Sequence, residues 1–182
     1  MFRTLAPELL SGEDFNETTA VIELCDEMNL TILHGGLRSC PAFIGCYHED
    51  LGPVCYANAS HTAALLRDNA GITPLEATGL PLGLFSHTMQ GAASCHLMPG
   101  SALLVVSRGI VEADYVDADH QAAEFGRDGV KQGFQHATAL SASELYMTVL
   151  QAARKLVPTT PTHNDLTTLA LERTASGDHD AV

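Results

Sequence analysis

Nine histidines, five cysteines and two serine–histidine neighbours are the residues of this chain whose types could do chemistry. His34, His48, His61, His87, His96, His120, His136, His163 and His179 are scattered. None forms an HxH or HExxH frame that would aim two imidazoles at one cation. Cys25, Cys40, Cys46, Cys55 and Cys95 contain no CxxC and match no zinc spacing. They read as reduced, mostly buried thiols, with Cys40, Cys46 and Cys55 in strand-like segments where cysteine acts as a small hydrophobe. Ser60-His61 and Ser86-His87 set a hydroxyl beside an imidazole, but neighbours along a strand point to opposite faces. There is no G-x-S-x-G elbow, no GxGxxG and no Walker sequence. Asp117, Asp119 and His120 lie in a polar stretch that reads as a solvated loop before it reads as a ligand contact.

The elements that must position these residues follow from periodicity and turn chemistry. Ser11-Gly12-Glu13-Asp14 has helix-capping character, and Val21, Leu24, Cys25, Met28 and Ile32 recur at helical spacing, so a helix is predicted from near Ser11 to Gly35-Gly36. Ala42–Tyr47 and Val54–Ala57 flank the turn His48–Gly52 and predict a β-hairpin. Ala63–Leu66 and Ile72–Leu75 are short strands around the polar turn Arg67–Gly71. Gly91–Met98 and Ala102–Ser107 are predicted as a second hairpin across Pro99-Gly100. Ser141-Ala142-Ser143-Glu144 is a capping box that opens a helix through Leu156, with Arg154 and Lys155 near the C-terminal end where the helix dipole favours cations. Pro158 and Pro161 prevent its continuation. Leu166–Leu171 alternates as a last strand. The order helix, antiparallel strands, helices, strand predicts an α+β fold with a mostly antiparallel sheet.

Composition bounds the function. The 182 residues are 46% hydrophobic, enough for a real core in one domain of ordinary size. Nine Lys and Arg stand against 22 Asp and Glu, a net charge of −13, which argues against nucleic acid or an anionic membrane as partner. Much of that charge lies on surface turns and on the helix from Glu13 to Glu27, where it confers solubility and would favour a basic partner. No apolar run approaches the roughly 20 residues of a membrane span. The N-terminal residues show no basic region followed by an apolar stretch, so no signal peptide is expected and a cytoplasmic location is.

Several segments, in order, resemble the second half of a SpoIIE-type phosphatase domain, a branch of the PPM (protein phosphatase 2C-like) serine/threonine phosphatases. Tyr56-Ala57-Asn58-Ala59-Ser60-His61 resembles its "Y-x-N-A-G-H" turn and Ala64-Leu65-Leu66 the strand after it. Thr78–Phe85 is similar to its "G-x-P-L-G" segment. Leu97–Ser107 resembles "L-x-P-G-D-x-L-L-L-Y-T", Gly109–Ala113 "G-V-x-E-A", Glu124-Phe125-Gly126 the "x-F-G" before a helix, and Asn164–Leu171 the closing "D-D-x-T-x-L-x-L" strand. The resemblance covers residues 37–173. It divides the chain into an N-terminal helical segment (1–36), a phosphatase-like core (37–173) and a disordered tail (174–182). It implies a partial β-sandwich with flanking helices and a cleft in which two divalent cations activate water against a phosphoester.

The chain departs from that pattern at the metal positions. The family's early aspartates, in "G-G-D-x-x-D" and "G-D-V-x-G-H-G", have no counterpart in residues 1–36, where His34-Gly35-Gly36 is only a glycine pair. The family's "T-D-G" reads Ser107-Arg108-Gly109. Arginine stays protonated and cannot ligate a cation. At an effective dielectric near 20, unit charges about 4 Å apart interact by about 4 kcal/mol, and a dication facing Arg108 is repelled by roughly twice that. The first aspartate of "D-D-x-T" is Asn164, an amide that can coordinate but adds no charge. Asp165 survives at the neighbouring position, which the family does not use as the ligand. Arg108 either pairs with Asp165 or Asn164 across the former site or points into solvent. Ser60 replaces the turn glycine at a position where an unusual backbone conformation is expected, and a non-glycine there suggests local remodelling or a relaxed constraint. Asn58, Ser60 and His61 are read as turn-forming.

The resemblance therefore implies a catalytically inactive or incomplete module that binds a signalling partner, by analogy an anti-sigma antagonist or a kinase-like anti-sigma factor. No cofactor is expected on this reading. The alternative is the distal half of an active phosphatase, which would need Mn or Mg. Loss of a first half would uncover strand edges and apolar faces, so a homodimer or a hetero-complex is expected.

Overall fold

The computed structural model describes residues 16–86, 91–116, 122–137, 141–156 and 165–174. They pack as two compact units, one from the described residues up to Ala63 and those between Glu76 and His96, the other from Ala64–Leu75 and the described residues from Leu97 onward.

The first unit opens with helix α1 (Glu17–His34). Asn16 caps it: its side-chain oxygen accepts from the Thr19 N–H at 2.9 Å, satisfying one of the donors that a helix start leaves open. The helix therefore starts at Glu17 behind an extended Asn16, later than the start near Ser11 that Ser11–Asp14 predicted; residues 1–15 lie outside the described residues. Gly35 and Gly36 end the helix as predicted: their N–H groups return to Thr31 and Leu33 carbonyls, and Gly36 takes φ +62°. Val21, Leu24 and Cys25 are buried against strands β1 (Ala42–Tyr47) and β2 (Pro53–Ala59), with Met28 and Ile32 packed at the margin. The β1–β2 hairpin forms where turn chemistry predicts it. Its register sets Cys46 opposite Cys55, and Gly52, at φ +91°, donates to His48 O at 2.7 Å. Cys25 and Cys55 are buried as expected, whereas Cys40 is exposed.

The second unit holds β3 (Ala64–Asp68), β4 (Gly71–Leu75), β6 (Ala102–Val106) and β9 (Thr168–Glu172) in the order β4-β3-β6-β9, every pairing antiparallel. Pro74 sits on β4, an edge strand, where a missing N–H is tolerated. After β6 come a single helical turn α2 (Arg108–Val111), the small ribbon β7 (Asp114–Val116) and β8 (Ala122–Glu124), then helices α3 (Gly126–His136) and α4 (Ala142–Leu156). Phe134, Leu145, Val149 and Ala153 from α3 and α4 are fully buried with Leu104 and Val106 of β6. The α4 capping box is present: Ser141 N donates to Glu144 Oε2 at 3.0 Å and Glu144 N to Ser141 Oγ at 3.4 Å.

Two expectations need correction. Arg67 belongs to β3 rather than to a polar turn, which is confined to Asp68–Gly71, where Asp68 accepts from the Ala70 and Gly71 N–H groups. The Pro99-Gly100 turn forms, with Ser101 N donating to Met98 O at 2.8 Å, but its flanks do not pair with each other. Strand β5 (Ala93–His96) pairs with β2 in the three-stranded sheet β1-β2-β5, and β6 pairs with β3 and β9. Two apolar runs around Pro-Gly look alike in sequence whether they pair with each other or with distant strands. The fold is α+β with antiparallel sheets and flanking helices, as expected.

Candidate functional site

Two loci carry the residues singled out by sequence, one in each unit. In the second unit, β6 runs out at Val106 and the chain turns at Ser107 into α2. Ser107 does not cap that turn with its hydroxyl. Its Oγ donates to the Asp165 carbonyl at 2.8 Å and accepts from Thr167 N–H at 3.0 Å, while its N–H donates to Thr167 O at 2.8 Å. This clasp extends the β6–β9 ladder by one step and brings Asp165 to Ser107 through backbone atoms. Gly109 and Ile110 are buried beneath the turn.

Arg108 points outward. Its side chain is 76% exposed, and its Nε donates to Glu112 Oε1 at 2.5 Å across one helical turn. Of the two orientations open from sequence, solvent exposure is the one observed. An exposed i, i+4 pair of this kind contributes about 0–1 kcal/mol, so it sets the direction of the guanidinium more than the stability of the fold. Asn164 lies outside the described residues, as do Asp117, Asp119, His87, His120, His163 and His179 and the tail beyond Thr174.

In the first unit the Asn58–His61 turn is a knot of backbone bonds. Asn58 is fully buried. Its N–H donates to Thr78 Oγ1 at 2.9 Å, and its carbonyl accepts from Ser60, Thr78 and Gly79 N–H groups. Ser60 has φ +57°, the left-handed conformation expected at the position where the family pattern has glycine, and its Oγ donates to Gly79 O at 2.9 Å. That side-chain bond offsets part of the conformational cost, which is how a serine holds the position. His61 Nδ1 lies 3.1 Å from Thr62 O and serves the turn locally.

Sequence reasoning missed one positioning residue here. Asn29 is buried in the middle of α1, accepts from Gly83 N–H at 2.6 Å and donates to Phe85 O at 3.0 Å, clamping residues 82–85 to the helix. A polar residue on the apolar stripe, one position past Met28, was the available signal.

A divalent cation needs several oxygen ligands, anionic ones above all. Among the described residues no group of three or more His, Cys, Asp or Glu side chains is placed to hold one. At the second locus Glu112 faces Arg108, and Asp165 offers its carbonyl to Ser107.

The sequence profile of Stage II sporulation protein E (SpoIIE) matches residues 1–174, beginning well before the 37–173 covered by the short motifs. The chain belongs to the SpoIIE family. Among solved structures it is similar to the SpoIIE phosphatase domain of Bacillus subtilis from Mn-presoaked crystals, at 14% identity and TM-score 0.62, covering 97% of this chain and 74% of that one. It is similar to the SiaA PP2C domain of Pseudomonas aeruginosa at 12% identity and TM-score 0.72, covering 93% and 66%. It also resembles the RsbU and RsbW domains of a Mycobacterium tuberculosis protein, at 21% identity and TM-score 0.64, where it covers 96% of this chain and less than half, 46%, of that one. At these identities the likeness is one of fold. No curated protein matches in sequence. No helix among the described residues is long and apolar enough to cross a membrane.

Proposed function

We propose that this chain is a SpoIIE-type module that does not turn over phosphoesters and acts by binding a signalling protein. One observation carries the reading: where the family pattern has the aspartate of "T-D-G", this chain has Arg108, turned outward and paired with Glu112. Asn164, where the family's closing motif has its first aspartate, supports it from sequence. A cytoplasmic setting and an anti-sigma antagonist or kinase-like anti-sigma factor as partner are part of this proposal, by analogy with the family's partner-switching members. The similar structure of PppA, a regulatory component of the type VI secretion system in Pseudomonas aeruginosa, supports a regulatory role in general terms. Titration of the purified chain with Mn²⁺ or Mg²⁺ by calorimetry should give no binding heat, and p-nitrophenyl phosphate should not be hydrolysed above buffer with Mn²⁺. Turnover above that control would refute the reading. Arg108→Asp combined with Asn164→Asp should leave the chain inactive, because the early aspartates of the pattern are still lacking. Recovery of activity in that variant would show the motif assignment to be wrong.

A second reading is favoured by the partial coverage of the similar chains, 74% and 66%. In it this chain is the distal part of an active metal-dependent phosphatase whose other ligands stand on a preceding segment or a second polypeptide. In-frame "G-D-V-x-G-H-G" coding sequence upstream of Met1 would support it.

A further inference from the structure

The first unit carries an apolar surface that its own core does not use. Leu30, Leu37, Leu84 and Phe85 are 38%, 63%, 44% and 55% exposed. The backbone segments that carry them are joined to one another. Asn29, next to Leu30, holds Gly83 N–H and Phe85 O. Ile32 presses on Gly83, and Ile32 O accepts from Leu37 N–H. Leu82 pairs with Cys40 on the other side, so residues 82–85 lie between the C-terminal half of α1 and the segment after it. Four exposed large apolar side chains thus stand on segments that are held together, which sets them apart from singly scattered exposure.

Charge distinguishes the occupants. Glu23, Asp26 and Glu27 are exposed on α1 within two turns of Leu30. Asp26 holds its proton more tightly than an ordinary carboxyl, first through burial and then through the negative charge of Glu27. A second copy of a chain with net charge −13 would bring the same carboxylates to the interface. Arg38, next to Leu37 in sequence, is exposed as well.

We propose that this face of α1 and residues 82–85 docks a protein segment that presents apolar side chains flanked by lysine or arginine. The inference names a partner chemistry for the binding reading above, yet it rests on the α1 unit alone. Hydrolysis of p-nitrophenyl phosphate would sink the inactive reading without touching this one.

The test uses the full chain and three synthetic peptides read by fluorescence anisotropy: an amphipathic leucine/lysine helix, the same pattern with glutamate for lysine, and the same pattern with serine for leucine. The leucine/lysine peptide should bind, more weakly as salt rises, and the other two should not. Leu84→Ser with Phe85→Ser should weaken binding about tenfold or more, since exposed anchors of this size dominate such contacts. Glu23→Gln, Asp26→Asn and Glu27→Gln together should weaken it about tenfold at low salt while leaving the apolar patch intact. Near-native circular dichroism checks that each variant is folded. Equal binding of the glutamate or serine peptide, or undiminished binding in either variant, overturns the proposal. A concentration-dependent dimer abolished by the serine variant would assign the face to a second copy and overturn it too.

Discussion

Gly83 is the position where a single methyl group should cost most for its size. The residue has φ +75°, and a Cβ built there would overlap the Cγ2 methyl of Ile32 and stand 3.0 Å from its Cβ. A left-handed conformation costs a non-glycine residue about 1–2 kcal/mol. Ile32 is β-branched and stiff at χ1, so its methyl cannot swing aside, and overpacking of this kind costs about 1–3 kcal/mol. The substitution also strains the 2.6 Å bond from Gly83 N–H to Asn29. Gly83→Ala should therefore destabilise by about 2–5 kcal/mol, a large part of a typical stability of about 5–15 kcal/mol. Urea unfolding followed by circular dichroism would read it as a fall in midpoint at constant slope. The clash and the backbone cost separate in a double-mutant cycle with Ile32→Ala. In that background the added methyl meets the residue 32 Cβ at 3.0 Å and Ser39 Cα at 3.6 Å, and the cost of Gly83→Ala should fall by about 1–3 kcal/mol, leaving mainly the left-handed cost. A Gly83→Ala change under about 0.5 kcal/mol, or the same penalty in both backgrounds, would refute the reasoning.

Arg67→Ala should destabilise the second unit by about 2–4 kcal/mol, because charged hydrogen bonds and a cation–π contact are lost together. The Arg67 guanidinium donates to Phe134 O at 2.6 Å and Ala137 O at 3.0 Å and sits 4.7 Å from the Phe134 ring centre, so faster amide exchange should be confined to the end of α3. Ser60→Gly should change stability by less than about 1 kcal/mol, since relief at φ +57° trades against the bond to Gly79 O, whereas Ser60→Val should cost about 2 kcal/mol or more in the same urea assay. The first unit should weaken in alkali. Burial, then the negative charge of Asp26, pushes the Cys25 thiol from 9.0 up to about 11, and burial also raises Cys46, Cys95 and Tyr56. The unfolded chain then ionises first, so stability is full below about pH 9 and falls as pH rises toward about 11. A urea midpoint unchanged between about pH 8 and about pH 10.5 would contradict this.

Local devices were legible in the sequence because each is complete within a few residues. The Val21–Leu24–Cys25 stripe of α1, the hairpin turn at His48–Gly52 and the Ser141–Glu144 box all appear where their residues predict. Ser60 was readable as a position with special backbone demands, but the relaxed constraint that a serine suggests there is not what is found: φ stays at +57°. The direction of Arg108 was half legible: Glu112 four residues on is a helical salt-bridge spacing, but only the α2 turn makes it one. Asn29 was not legible as a clamp. In one dimension it is a polar interruption of an apolar face, and its partners Gly83 and Phe85 lie 54 and 56 residues away.

By itself the sequence determined the two long helices and most of the strands, the acidic composition and membership of the SpoIIE family, since these rest on periodicity, composition and ordered short motifs, whereas the short β7–β8 ribbon carried no such signal. Only the tertiary structure decided that β5 joins β2 and β6 joins β3 and β9, that Arg67 ties a strand to the end of α3, and that Arg108 turns outward. The reason is that a strand's partner and a buried polar group's partner are chosen by which distant residues together bury the most apolar surface while leaving no donor or acceptor unmet. No window of neighbouring residues contains that information.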